Sequence, residues 1–577
     1  MKLGSFSSAE SEKMEDRQLA KVNRRDPNVV MRLARMGSFH QSRLSFMRVL
    51  LRRLKTEAWT FERRRFDIDA SGVGVAVYTA MGPKGRYSLV AFANDLPPQK
   101  RSDRVIATEW DATFTLFDGV PKAADIERLS KNIPFQEAGR VTQTELSVSR
   151  ANRSARLWEY VVDCLAAGAQ PSPEKIQDVG YLMRTTAVYG SGKLGAADRE
   201  WTSEREEFLA PFQIEMLTVY LIRAFVMDLV EHMARVQAPQ TAVVLDAGLR
   251  RRFGIGNSTG LGMAPFLINH PILLNNWIAA REEALARVRS VQNADAEAQL
   301  VFRDCLRRAQ RNAALWATEH EFQKKKVSSL INDLCALSHH VDRGVLAGER
   351  PWDRLWIWAE GALSTEGQEQ LVSLLFEPYP DLVDGLSDCM AADEAPHMRI
   401  DGRMSTGLLL TILRDIYGWA LRIDWDDPKA QARVWYVSEE KLEPRLGDRA
   451  DRDLNDYEQP LGPGRDVARM FADLQEPDAE TVGAFLMRHP EHRHAARRAQ
   501  IAERFPYAEI RDNTIAADML PIDLLRAKLS YFGAAHFDPR SDRWVRVNMF
   551  QNAPFPHELA DASSDDWSVP ELVGPGL

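Results

Sequence analysis

The spacing of apolar residues along this chain changes character twice. Across residues 28–57 it is helical: Leu44, Met47, Leu50, Leu51 and Leu54 form one stripe, and Arg43, Arg48, Arg52, Arg53 and Lys55 cover the other faces. Such a basic amphipathic helix can lie on a membrane or a polyanion, but the commoner use of the stripe is packing against its own protein. From residue 60 the period falls to two. Phe66–Asp69, Val73–Thr79, Tyr87–Ala93 and Val105–Phe117 alternate or run β-rich, with Gly82-Pro83-Lys84-Gly85 as a turn, which predicts an antiparallel meander.

Near residue 121 the period returns to 3.6. A helix over Arg156–Ala167 ends at Gly168, and another opens with Ser172 as N-cap and Pro173 at its first position, running to about Thr186. A long helix is predicted over Pro211–Arg235, a short β-like run over Thr241–Asp246, and two long helices over 271–291 and 295–340. Residues 351–425 read as tryptophan-rich helices, and Glu439–Gly464 as a charged surface loop. The predicted fold class is α+β and predominantly helical: a multi-helix body with one small antiparallel β-meander near the N-terminus. The segments are 1–58 (basic tail and amphipathic helix), 59–120 (meander), 121–345 (helical core with two Gly-rich loops), 346–438 (Trp-rich helices), 439–475 (linker) and 476–577 (C-terminal helices with an acidic tail).

Charge refines this picture. The chain of 577 residues has a net charge of −8, but residues 1–67 carry +8 and the rest −16. An acidic body argues against nucleic acid as the main partner. Cys164, Cys305, Cys335 and Cys389 have no C-x-x-C spacing and read as buried, inert thiols. Met1–Asp16 is polar without an apolar core, and the longest apolar span, Met216–Val230, is broken by Arg223 and Asp228. The expectation is a cytoplasmic protein with no signal peptide and no transmembrane segment.

The densest chemical signal is Phe253-Gly254-Ile255-Gly256-Asn257-Ser258-Thr259-Gly260-Leu261-Gly262-Met263-Ala264-Pro265. Clustered glycines imply positive φ angles or close approach of the backbone to a ligand or another chain. The spacing departs from G-x-G-x-x-G, which excludes the dinucleotide fingerprint. Gly256-Asn257-Ser258-Thr259-Gly260 satisfies G-x-S-x-G, but that motif requires a strand directly before the serine and a helix directly after it. Backbone N–H groups in such a segment can instead cradle an anion, with Gly256, Asn257, Ser258, Thr259, Gly260 and Asn269 as candidate contacts. A second glycine segment, Tyr189–Gly195, departs from the Walker A pattern at two positions and leaves Lys193 and Arg199 as candidate anion-binding cations.

On the 211–235 helix, Glu215 and Arg223 fall within the apolar face. Burying either group requires a partner, and Arg223 could meet a carboxylate of the protein or of a substrate. His270 follows the glycine segment directly and is placed as a general acid or base, with Glu215 as the second candidate. The histidines at 489–494 lack carboxylates at metal spacing, so no metal site is predicted.

Together these features predict an enzyme that binds a small anionic metabolite, bearing carboxylate or phosphate, at two Gly-rich loops and performs acid/base chemistry. The alternatives are a non-catalytic helical interaction or regulatory protein, whose glycines serve packing, and a serine hydrolase through the GNSTG motif. No cofactor is specified by the sequence, and homo-oligomerisation is left open.

Overall fold

The computed structural model describes residues 24–97, 109–131, 142–185, 205–260, 270–316, 321–391, 399–427, 435–438, 441–446, 463–474, 480–511, 521–533, 536–538, 544–561 and 566–569. The chain divides into two compact units, each assembled from separated segments. One draws on Ser45–Thr259 and Lys528–Leu577, the other on Met1–Leu44, Gly260–Trp316 and His320–Ala527.

The first unit is built on a mixed sheet. β1 (Thr60–Ile68), β2 (Gly74–Met81), β3 (Arg86–Ala93) and β4 (Ala112–Asp118) form the antiparallel meander that the period of two predicts. The sheet continues well beyond it. β5 (Glu145–Arg153) and β6 (Tyr181–Thr185) extend it antiparallel, and β7 (Gly254–Gly260) joins β6 in parallel. β8 (His536–Asp538) and β9 (Trp544–Met549) come from the C-terminal end of the chain, giving the order β1-β2-β3-β4-β5-β6-β7-β9-β8. A helix-dominated body with one small antiparallel meander is therefore incorrect: the sheet has nine strands and a parallel pair.

The missed strands have local causes. The helix after Ser172 starts as expected, with the Ser172 hydroxyl accepting from the Lys175 N–H and Pro173 in the first turn. It ends at Gln177 rather than near Thr186, because Gly180 at φ +71° closes it and turns the chain into β6. Tyr181-Leu182-Met183-Arg184-Thr185 is buried along its whole length, so no alternation marks it as a strand. The β-like run at Thr241–Asp246 forms no strand.

The helix α1 (Phe46–Thr56), α2 (Trp158–Ala166) and the long α3 (Gln213–Gln237) complete this unit's main core. α3 lies across β2 to β6, with Phe225 in edge contact with Tyr78 and Phe114 at ring distances of 6.3 and 5.6 Å. On the opposite sheet face Val75, Val90, Phe92 and Phe117 pack with Leu129 and Ile126 of the helix Ala123–Ser130. Burial of both faces explains why β2 and β3 are nearly continuous in apolar character. The edge strand β1 instead exposes Arg63 and Arg64, which discourages pairing with another chain.

The second unit is helical. It includes α4 (Pro271–Arg289), α5 (Ala296–Ala314), α6 (Glu321–Asp342), α7 (Pro351–Ala362) and α8 (Thr365–Phe376), so the single helix expected over 295–340 is two. α9 (Thr406–Leu421), α10 (Pro463–Asp473), α11 (Val482–Arg488) and α12 (Arg493–Arg504) share an apolar cluster that includes Leu409, Leu413, Val467, Met470, Phe485 and Ala499. α13 (Pro521–Ala527) follows, and its Ala527 backbone passes so close to Gly37 that a Cβ there would lie 2.4 Å from it.

The basic head has an internal role in this unit. Arg25 is buried and donates to Glu282 of α4 and Glu369 of α8 at 2.7–3.2 Å, and Arg281 also pairs with Glu369. Arg35 reaches Glu369 at 3.2 Å and Arg43 reaches Asp384 at 2.6 Å. Part of the positive head is thus neutralised by carboxylates of the acidic body. In the first unit Arg48, expected on the polar face of α1, is fully buried. Cys335 and Cys389 are exposed rather than buried, and all four cysteines are free thiols. Among the described residues, no helix is long and apolar enough to cross a membrane.

Candidate functional site

The glycine segment is a strand at its start, not a loop. β7 places Gly256 beside Arg184 of β6 and Asn257 beside Thr185. Neither Gly254 nor Gly256 adopts positive φ. Their missing side chains serve close approach: a Cβ on Gly254 would lie 2.6 Å from the Met549 carbonyl oxygen of β9, and one on Gly256 would lie 2.7 Å from the Tyr181 ring. Gly262 lies outside the described residues, as do Lys193, Arg199 and Asn269. The backbone of Ser258, Thr259 and Gly260 belongs to β7. Ser258 therefore sits inside an extended strand, whereas a nucleophile elbow needs the serine on a sharp turn.

Asn257 is buried and joins three segments. Its side-chain amide donates to the Thr185 carbonyl at 2.8 Å, and its side-chain oxygen accepts from the Lys528 ammonium nitrogen. Lys528 opens a π-helical turn, Lys528–Gly533, and is fully buried. Phe532 of that turn packs against Phe46 and Phe212 at ring distances of 5.2 and 4.5 Å, which fixes the turn in the core. Turns of this type are rare and recur at functional sites. Burial pushes the Lys528 amine well below its ordinary value, because a low-dielectric interior disfavours the ammonium form.

Arg223 is fully buried, and its guanidinium is held by main-chain oxygen rather than by a carboxylate. It donates to the carbonyls of Phe253, Ala553 and Arg251 at 2.7, 2.9 and 3.1 Å, and its carbon lies 3.8 Å from the centre of the Phe555 ring. Burial pushes it down to about 9. Its three donors fix the chain entering β7 and the chain after β9, so it positions the strand that carries Asn257. Glu215 lies in the first turn of the same helix, buried, where the positive end of the helix dipole favours a carboxylate. His270 belongs to the second unit, as the residue preceding Pro271 at the start of α4.

No family model, curated protein or solved structure matches this chain.

The arrangement has a recognisable chemical capacity. A buried amine whose ammonium form is disfavoured can accept a proton, and an amide oxygen on its N–H fixes its orientation. The parallel β6–β7 pair sets the carboxyl ends of both strands side by side. Of the segments marked in the sequence as anion contacts, Gly256–Gly260 lies in β7 itself, whereas Lys193, Arg199 and Asn269 lie outside the described residues.

Lys528 was not among the sequence-derived site residues. The signal was present in Leu524-Leu525-Arg526-Ala527-Lys528-Leu529-Ser530-Tyr531-Phe532, a lysine inside an apolar run, which is the argument that singled out Arg223. No spacing rule, however, links it to Asn257 across 271 positions.

Proposed function

We propose that this protein is an enzyme acting on a small anionic metabolite, carboxylate- or phosphate-bearing, by proton transfer. The observation that carries the reading is the Lys528–Asn257 pair: a buried amine, held on a glycine-rich strand at the carboxyl end of a parallel strand pair. Lys528 is the proposed base and Asn257 its positioning partner. Lys193 and Arg199 are the proposed anion contacts, together with the backbone of Gly256–Thr259, and Glu215 of the same unit is the candidate for the second proton-transfer group. Arg223 supports the strand and is not proposed as an anion contact, since it is fully buried and each of its three nitrogens already donates to a main-chain carbonyl.

One observation favours a second reading, a non-catalytic interaction or regulatory protein. Gly254 and Gly256 are accounted for by close packing against Met549 and Tyr181 without any ligand.

A panel of small carboxylates and phosphates, screened by thermal stabilisation on the wild type and on Lys528→Met, separates the two. The enzyme reading expects at least one compound to stabilise the wild type, by about 2.7 kcal/mol at a hundred times its dissociation constant. It also expects turnover of that compound to vanish in Lys528→Met. Turnover retained in the folded variant would remove Lys528 from the chemistry, and a panel without any stabilising compound would favour the interaction protein.

A further inference from the structure

The second unit carries a cluster that the sequence analysis set aside. Asp473, the last residue of α10, meets His489, Glu491 and His492 from the turn between α11 and α12, and one potential ligand atom from each lies within 4.8 Å of all the others. The sequence shows two histidines and a glutamate within four positions. The carboxylate that completes the set comes from 16 residues earlier and arrives through the packing of α10 on α12.

We propose that these four residues bind one divalent transition-metal ion of the zinc class. The donor set is two imidazole nitrogens and two carboxylate oxygens, which suits zinc and its neighbours rather than calcium or magnesium, whose sites are all oxygen. His492 Nε2 lies 2.7 Å from Asp473 Oδ2, and His489 Nδ1 lies 3.3 Å from Glu491 Oε1. With metal–ligand bonds of about 2.0–2.2 Å, tetrahedral ligand atoms stand about 3.3–3.5 Å apart. Separations of up to 4.8 Å must therefore shorten and the 2.7 Å His492–Asp473 contact must lengthen on binding, movements within reach of the exposed carboxylates of Asp473 and Glu491.

The imidazoles themselves rest on a fixed floor. The Phe485 ring, buried in the α9–α12 cluster, stacks on His489 and His492 with centroids 4.9 and 5.8 Å away. His492 is buried, whereas the carboxylates face solvent and give the ion a route of entry. Two carboxylates balance the charge of the cation. Four protein ligands complete a tetrahedral shell, so the ion would tie the end of α10 to the α11–α12 turn rather than hold a reacting molecule.

The test is calorimetric titration of the full-length, chelator-treated protein with zinc chloride alone, alongside His489→Ala, Glu491→Gln and a control, His339→Ala, at an exposed histidine of α6. The proposal expects one ion per chain, bound at least tenfold more weakly by His489→Ala and by Glu491→Gln but unchanged in His339→Ala. Glu491 is exposed and His489 half-buried, and circular dichroism checks that both variants fold. Absence of zinc binding to the wild type, or affinity unchanged in both folded test variants, would overturn the site.

Discussion

Arg223 Nε donates to the carbonyl oxygen of Phe253 at 2.7 Å, so a guanidinium in the middle of α3 holds the residue that leads into β7. The same fully buried side chain satisfies two further carbonyls, at Arg251 and Ala553. Arg223→Met would fill the space but remove the guanidinium from the Phe253 and Ala553 carbonyls, while the Arg251 carbonyl keeps the Asn552 N–H at 2.7 Å. The expected loss is about 2–6 kcal/mol, from about 1–3 kcal/mol for each of two buried carbonyls left without this donor. Denaturant titration would measure it, and increased amide exchange at Gly254–Asn257 would locate it. A loss below about 1 kcal/mol would show that water or a side chain replaces the guanidinium.

A pH-dependent contribution is expected from Glu369 in the second unit. Burial alone would raise its carboxyl, but Arg25 and Arg281 outweigh that and hold it down at about 2. Its folded value thus lies below the ordinary 4.5, and the sign follows: the stabilisation is complete above pH 4.5 and is lost as pH falls toward 2. The difference corresponds to about 3 kcal/mol. Glu369→Gln should be less stable at pH 7, with a flatter decline between pH 4.5 and 2 in acid-unfolding curves. An unchanged acid slope would show that Glu369 is not the titrating group.

Gly256→Ala tests whether the glycines of β7 serve packing. The new methyl would meet the Tyr181 ring at 2.7 Å, closer than any real Cβ contact, so the ring or the strand must move. Overpacking of this kind costs about 1–3 kcal/mol. The double variant Gly256→Ala/Tyr181→Leu should recover part of it, measured as a lowered and then partly restored melting temperature. No loss in the single variant would mean that the ring swings aside freely.

These relationships were unequally legible in the sequence. The meander β1–β4 was readable from its period, and α3 from its broad apolar face. Arg223 stood out because a guanidinium on that face must be satisfied, although which acceptor satisfies it is a property of the folded chain. β7 was not readable as a strand: Gly254-Ile255-Gly256-Asn257-Ser258-Thr259-Gly260 has low intrinsic β preference, and its extended form depends on neighbouring strands, including the parallel ladder with β6. β6 was hidden in turn by a helix start signal that was correct but ran for only five residues. The clusters at Asn257–Lys528 and Asp473–His492 depend on chain segments meeting across long separations, which periodicity cannot report.

Lys528 yields the prediction that bears most directly on function. Burial holds its folded value well below 10.5, so between that value and 10.5 the unfolded chain binds the extra proton and stability rises with pH. Below 10.5 the buried amine is therefore a liability to the fold. Lys528→Met keeps the length and apolar stem while removing the buried amine. The variant should be more stable than wild type at pH 7, and the gap should close as pH approaches 10.5, measured by denaturant midpoints across that range. A residue retained at a cost in stability is expected where activity requires it, which would join this result to the loss of turnover expected for the same variant. If Lys528→Met is instead destabilised at pH 7 by the loss of its contact with Asn257, the lysine is there to brace the π turn against β7, and the catalytic reading loses its main support.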